Sequence, residues 1–453
     1  MKLFLTVLLA GLLVAPALFA ADDNDLNKQL ALDMIKKLAS KKKVDRTTAI
    51  TALLQLGEAG EQALNAAKTS ENLEPRQYLL LRRLLGEFLV AKTPLQPVVL
   101  STLTPLGEEK EKNVAGNPLL LLNRQSKTIV MDGWFYQENG PLEYLVCSRV
   151  PNATKLHETI LAISSLPRDV CMALLVCEYT YAGELTEEGQ INLPKEAGVM
   201  ISVEFLWEPP HADMEVQLDI ETMIWAMQAK HEAAANATPQ DRTLLLWDLE
   251  SDVNQIQSLI AQPMEEDKAM RKLFLETLRK KLENPRLVYN DNARETLIAD
   301  LVAYLKLQNN DIAPKPKTPV TLPQKKLVRV PLEFCAWNTS TDQTMRRVPF
   351  AFTGSRYEKD SRTKRPIFIA DLEGLLVACK LDQYAVLNTL LDMRNVDPQH
   401  DAGYVINNEI VPRRFTKCRL VFEPWSGGEL TTAQLKDIGE KKSSGVAPIQ
   451  NAK

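Results

Sequence analysis

Several signatures are missing from this 453-residue chain, and each absence removes a class of function. No long basic run is present and the formal net charge is −4. Nucleic acid is therefore not an expected partner, because its recognition needs a clustered basic face. Aromatic residues make up only 6% of the chain, so the core is expected to be aliphatic and helix-rich. Gly-x-x-x-x-Gly-Lys-Ser/Thr, G-x-G-x-x-G and G-x-S-x-G do not occur. That excludes a P-loop, a dinucleotide fingerprint and a nucleophile elbow of the usual kind. Only four histidines are available, His157, His211, His231 and His400, and neither H-E-x-x-H nor C-x-x-C appears. Clustered cysteines, which an iron–sulfur centre needs, are absent too.

What is present begins with Met1-Lys2 and an almost unbroken apolar run, Leu3 to Ala20, closed by small residues and then Asp22-Asp23. A basic start, a short apolar core and small residues at its end are the pattern of a Sec-type signal peptide, residues 1–21. The other reading is an uncleaved anchor, for which the run is marginally short. No later stretch is long and apolar enough to span a membrane, so export to the periplasm or beyond is expected. Six cysteines in an exported chain invite a disulfide reading, but Cys147, Cys171, Cys177, Cys335, Cys379 and Cys418 are scattered. Most are expected to be small buried apolar residues. One bridge, between Cys147 and Cys379 on neighbouring strands, stays open.

Apolar periodicity predicts four helices in residues 22–92. In the first, Leu26, Leu30, Leu32, Ile35 and Leu38 recur near helical spacing, and Lys41-Lys42-Lys43 is a solvated stop. Residues 49–64 read like a HEAT-type helix pair, too short for a solenoid, so a small all-α module is expected. Residues 93–117, rich in Pro, Gly and charge, read as a linker.

A strand over Thr128–Phe135, a turn at Glu138-Asn139-Gly140 and a return strand ending at Cys147 follow. Thr154 then reads as an N-cap for a helix with Leu156, Ile160 and Ile163 inward. Pro167 opens a second helix, apolar nearly all round and so expected between layers. Val199–Trp207 is a strand. Four helical patterns run from Asp219 to Leu305, then a Pro-, Lys- and Thr-rich stretch over 311–325, then short strands to residue 424, with a helical turn expected at Tyr384–Met393. Residues 425–453 are polar and expected to be disordered.

Gly140-Pro141-Leu142-Glu143, Lys155-Leu156-His157-Glu158-Thr159 and Pro167-Arg168-Asp169-Val170-Cys171-Met172-Ala173-Leu174-Leu175 together resemble the YdjY-like domain of bacterial envelope and secreted proteins. Pro349–Ser355, Asp371–Lys380 and Arg419–Pro424 continue the likeness. Thr159 stands where the family has Ser, and Cys171 where it usually has a second His. The resemblance implies an α+β fold: a mixed β-sheet domain with two helices over 118–208 and 326–424, interrupted by a helical bundle over 209–325 and preceded by the all-α module. It implies no settled activity.

Chemistry has one candidate constellation. Glu143, Cys147, His157 and Glu158 supply a nucleophile, a base and carboxylates to orient it within one short unit. A structural role explains the same residues: His157 and Glu158 in a first helical turn, Cys147 in a strand core. A metal held by His157 and Cys171 is a further reading, since thiolate and imidazole both bind zinc. Two functions stand side by side: a non-catalytic envelope protein whose helices serve a protein partner, and a hydrolase-like or metal protein centred on His157. The sequence names no cofactor and no oligomeric state.

Overall fold

The computed structural model describes residues 24–68, 73–93, 96–106, 120–151, 153–182, 198–210, 220–260, 269–283, 285–308, 325–339, 342–360, 363–379, 382–389 and 403–425. The fold is α+β, in two compact units. The expected signal peptide and the polar residues beyond Trp425 lie outside the described residues, as do the Pro-rich residues 309–324.

The N-terminal unit holds α1 (Asn24–Leu38), α2 (Lys43–Gln55), α3 (Glu58–Lys68) and α4 (Pro75–Ala91). Its core joins Ala31, Met34, Ile35 and Leu38 of α1 to Leu53, Leu64, Leu80 and Leu84. Spacing of three and four residues puts the α1 members on one stripe. Of the five residues expected inward on α1, Ile35 and Leu38 are buried, but Leu26, Leu30 and Leu32 are exposed. Ala31 and Met34 take their place, because the stripe through Ile35 and Leu38 passes through 31 and 34.

The second unit is built on strands β1 (Thr104–Pro105), β2 (Leu120–Asn123), β3 (Thr128–Phe135), β4 (Tyr144–Ser148), β5 (Thr159–Ile163), β6 (Val199–Trp207) and β7 (Lys326–Pro331). It continues with β8 (Ala336–Asn338), β9 (Gln343–Thr344), β10 (Phe350–Phe352), β11 (Tyr357–Lys359) and β12 (Pro366–Phe368). The last four are β13 (Leu375–Ala378), β14 (Leu387–Thr389), β15 (Tyr404–Ile406) and β16 (Lys417–Pro424). The expected mixed sheet closes on itself. Eight strands, in the order β3-β16-β6-β10-β14-β13-β4-β5 and back to β3, form a barrel. Parallel pairs, β4 with β5 and β13 with β14, interrupt an otherwise antiparallel ladder. Closure depends on β3, whose first half pairs with β2 and whose second half pairs with β5. Gly133 sits at that join. A Cβ there would lie 2.9 Å from both the Ala162 carbonyl and Leu420, so only glycine lets three strands meet so closely.

Alternation along β3, β6 and β16 puts Met131, Phe135, Val203, Phe205, Leu420 and Phe422 inside, all buried. The outer face of the same strands is charged. Asp132, Arg419, Glu204 and Arg329 lie in register across four strands.

Two expectations about this region are overturned. Residues 159–163 form β5, not a helix. Leu156, Ile160 and Ile163 fit a helical period by coincidence, whereas Thr-Ile-Leu-Ala-Ile is β-branched and wholly buried between β3 and β4. Only a 3₁₀ turn, Leu156–Glu158, precedes it, so Glu158 has no α-helix dipole to serve. The described part of the Tyr384 helical turn likewise ends in β14. One helix, α5 (Pro167–Val176), follows β5, and Met172 and Leu175 on it are exposed rather than between layers. Part of the expected linker also packs on the barrel: Val98, Leu100 and Leu103 lie against Leu121, Val130 and Val421.

Between β6 and β7 lie α6 (Ile220–Asn236), α7 (Pro239–Ile260), α8 (Ala269–Leu282) and α9 (Asp291–Gln308). They share a core that includes Ile224, Leu249, Ile256, Leu278, Leu297 and Leu301, with Ile220 packed at its edge. Leu245 is half-buried. The two strands on either side pair directly, Trp207 opposite Lys326 and Ser202 opposite Pro331. A short helix, α10 (Ile369–Glu373), completes the set.

The middle of α7, Leu246 to Asn254, is buried on every side despite four ionisable or amide residues. Each charge has a counter-charge. Lys230 reaches Asp248 at 2.8 Å and Asp252 at 2.5 Å, and Lys325 reaches Asp248 at 2.6 Å. Toward the barrel, Lys417 bridges Glu250 at 3.0 Å and Asp132 at 3.1 Å, its backbone N–H donates to Ser251, and Arg419 lies over Trp247. Buried charges persist only when paired in this way. Burial alone would neutralise Lys230 and Lys417, but the carboxylates around them raise both above the usual lysine range.

Candidate functional site

Glu143, His157 and Glu158 lie at one end of the barrel. β4 and β13 run antiparallel side by side, and each is joined to a parallel neighbour by a crossing loop, to β5 and β14 respectively. The end of the first loop and the start of the second therefore reach the same end. Glu143 is fixed there by its backbone. Its N–H donates to the Glu158 carbonyl and its own carbonyl accepts from the Cys379 N–H.

Three expected residues come together, around a fourth that sequence reasoning did not choose. Lys155 reaches Glu143 at 2.8 Å and Glu158 at 3.0 Å, and His157 Nε2 lies 3.3 Å from Glu158. All three partners of this knot are about one-third exposed or less, and His157 is 67% exposed. The hydrogen bond from Lys155 to Glu143, with Glu158 adding to it, holds the ammonium above its usual pKa against partial burial.

Cys147 does not join them. It is buried in β4, and burial pushes its thiol up to about 12, against a weaker opposing hydrogen bond with Thr159. Beside it Tyr144 donates to Asp382, and burial followed by that bond raises the phenol above its ordinary value. Asp382 is oriented by the Tyr384 N–H at 2.8 Å, while its own N–H donates to Asn388 at 2.7 Å. Cys171 sits on α5 and is pushed up to about 11 by burial, then by Asp371. No hydrogen bond or ion pair links Cys171 to His157 among the described residues. His157 precedes β5 in the 3₁₀ turn, and Cys171 follows β5 on α5. Among the described residues no group of three or more His, Cys, Asp or Glu is disposed to hold a metal ion.

None of the six cysteines is in a disulfide. The open Cys147–Cys379 bridge is excluded by register. Cys147 is opposite Leu375, whereas Ala378, next to Cys379, is opposite Tyr144. An offset of about four residues is roughly 13 Å along a strand, beyond disulfide reach.

The chemistry follows from where protons rest. Lys155 is a cation held by carboxylates, Tyr144 keeps its proton and donates a hydrogen bond to Asp382, and Cys147 is a thiol at neutral pH. His157 is not among the groups that act on the Cys147 thiol. Lys155 is detectable from sequence, two residues before His157 in one motif. Asp382 is not, since it is 238 residues from Tyr144. No family model, curated protein or solved structure matches this chain.

Proposed function

We propose that the chain is an exported envelope protein with a non-catalytic binding or scaffolding role, built on a YdjY-like barrel. On this reading residues 1–21 direct export, the helices of 209–325 interrupt the family domain, and the helical modules offer surfaces to a protein partner. The observation that carries it is the separation of Cys147 from His157. The thiol is fully buried and held protonated by that burial, whereas the imidazole is 67% exposed and meets Glu158 at the surface. An exposed His with one surface ion pair contributes little to stability.

The second reading, a hydrolase-like or metal protein using His157 with Glu158, Glu143 and Cys147 or Cys171, draws on the convergence of Glu143 and Glu158 on Lys155. One experiment separates them. The purified full chain and His157→Ala are compared for hydrolysis of activated esters, for metal content by mass spectrometry and for unfolding free energy. We expect no turnover, no stoichiometric metal and a stability change within about 0.5 kcal/mol. Turnover or bound metal that His157→Ala abolishes would establish the second reading.

A further inference from the structure

The residues that α1 leaves outside its core form a surface of their own. Leu26 is 55% exposed and Leu30 42% exposed. With Lys37 they fall at i, i+4 and i+11, one flank of the helix. Lys28 and Lys36 are exposed on the same helix, and the turn that ends it carries Lys41, Lys42 and Lys43, all exposed, followed by Val44 at 74% exposure. Residues 24–45 hold six lysines against Asp25, Asp33 and Asp45, a net +3 in a chain whose total is −4. Asp33 is in contact with Lys36 at 3.5 Å and Asp45 accepts from Ser40 at 2.8 Å. Exposed leucines beside clustered lysines, directly after an apolar run over residues 3–20, match one partner chemistry. An anionic lipid surface attracts the lysines and accepts the leucines at its headgroup boundary.

We infer that α1 and the Lys41–Lys43 turn dock the N-terminal unit on an anionic phospholipid surface. The inference goes beyond the role of the barrel and does not depend on it. A protein groove would need a shaped complement. A lipid surface needs only charge and a shallow apolar contact, and that is what this face offers.

The test is vesicle binding of the full chain at low salt, with phosphatidylglycerol–phosphatidylcholine vesicles against phosphatidylcholine alone. Each lysine near such a surface is worth about five-fold in affinity. Lys37→Gln, Lys41→Gln and Lys42→Gln together should thus weaken binding about 100-fold, with unchanged circular dichroism. Leu26→Ser with Leu30→Ser should weaken it about 10-fold. Raising salt to about 0.5 M should release the protein, because screening shortens the reach of these charges. Equal binding to neutral vesicles, or binding that survives the triple lysine variant, would place the affinity in residues 3–20 and overturn the inference. Tighter binding to a single-stranded oligonucleotide than to the anionic vesicles would overturn it as well.

Discussion

Glu333 offers a test of the barrel unit by pH. It sits in the 3₁₀ turn Leu332–Cys335 between β7 and β8 and is fully buried. Neither carboxylate oxygen has a well-directed hydrogen bond. Burial pushes its pKa up from 4.5 to about 7, against weaker help from its own and Val348 amides and from Arg347. The native state therefore holds this proton to higher pH than the unfolded chain does. Below pH 4.5 both states are protonated and the group costs nothing. Between pH 4.5 and 7 the unfolded chain ionises while the native carboxyl keeps its proton, so stability falls across that window and levels off above 7, where both states are ionised. The gap corresponds to about 3 kcal/mol at pH 8. Glu333→Gln removes the ionisation while keeping the shape. It should be nearly neutral at pH 4.5 and stabilise by about 2–3 kcal/mol at pH 8. The assay is urea denaturation followed by tryptophan fluorescence. All six tryptophans lie after residue 92, so the signal reports this unit. A gain of the same size at both pH values, or none at pH 8, would refute the reasoning.

Three further outcomes follow from contacts elsewhere. Lys417→Met leaves Glu250, 1% exposed, with a buried charge and should cost about 3–5 kcal/mol, much of it recovered by adding Glu250→Leu; denaturation of the single and double variants measures this. Gly374→Ala forces a side chain onto a backbone at φ +79° with its Cβ 2.3 Å from the Ser148 carbonyl, and should cost about 2–4 kcal/mol in the same assay. Replacing residues 212–322 by a short Gly-Ser linker should leave β6 and β7 paired, because Trp207 and Lys326 already face each other, and the product should keep its strand signal in circular dichroism. A disordered product would show that α7 is needed for the barrel to hold.

Local pattern was enough for much of this protein. The helices of 220–308 and their core from Ile224, Leu249, Ile256, Leu278, Leu297 and Leu301 follow from a 3.6-residue apolar period, and short-range periodicity needs no partner to be legible. The strand character of Val199–Trp207 and Lys417–Pro424 was legible for the same reason. The convergence of Glu143, His157 and Glu158 was legible because one short strand and the loop after it join them. Tertiary structure decided the rest. Thr159–Ile163 is a strand because β3 and β4 take its hydrogen bonds from both sides, which outweighs a chance helical spacing. The barrel closes because β3 divides its edge between β2 and β5, a pairing with no local trace. Asp248, Glu250 and Asp252 are buried on α7, since Lys230, Lys325 and Lys417 arrive from 22, 77 and 167 residues away. Cys147 and His157 are ten residues apart in sequence, yet one is fully buried in a strand and the other is exposed. Nearness along a chain sets which groups can meet, but the side of a strand on which each falls depends on hydrogen bonds made with distant segments.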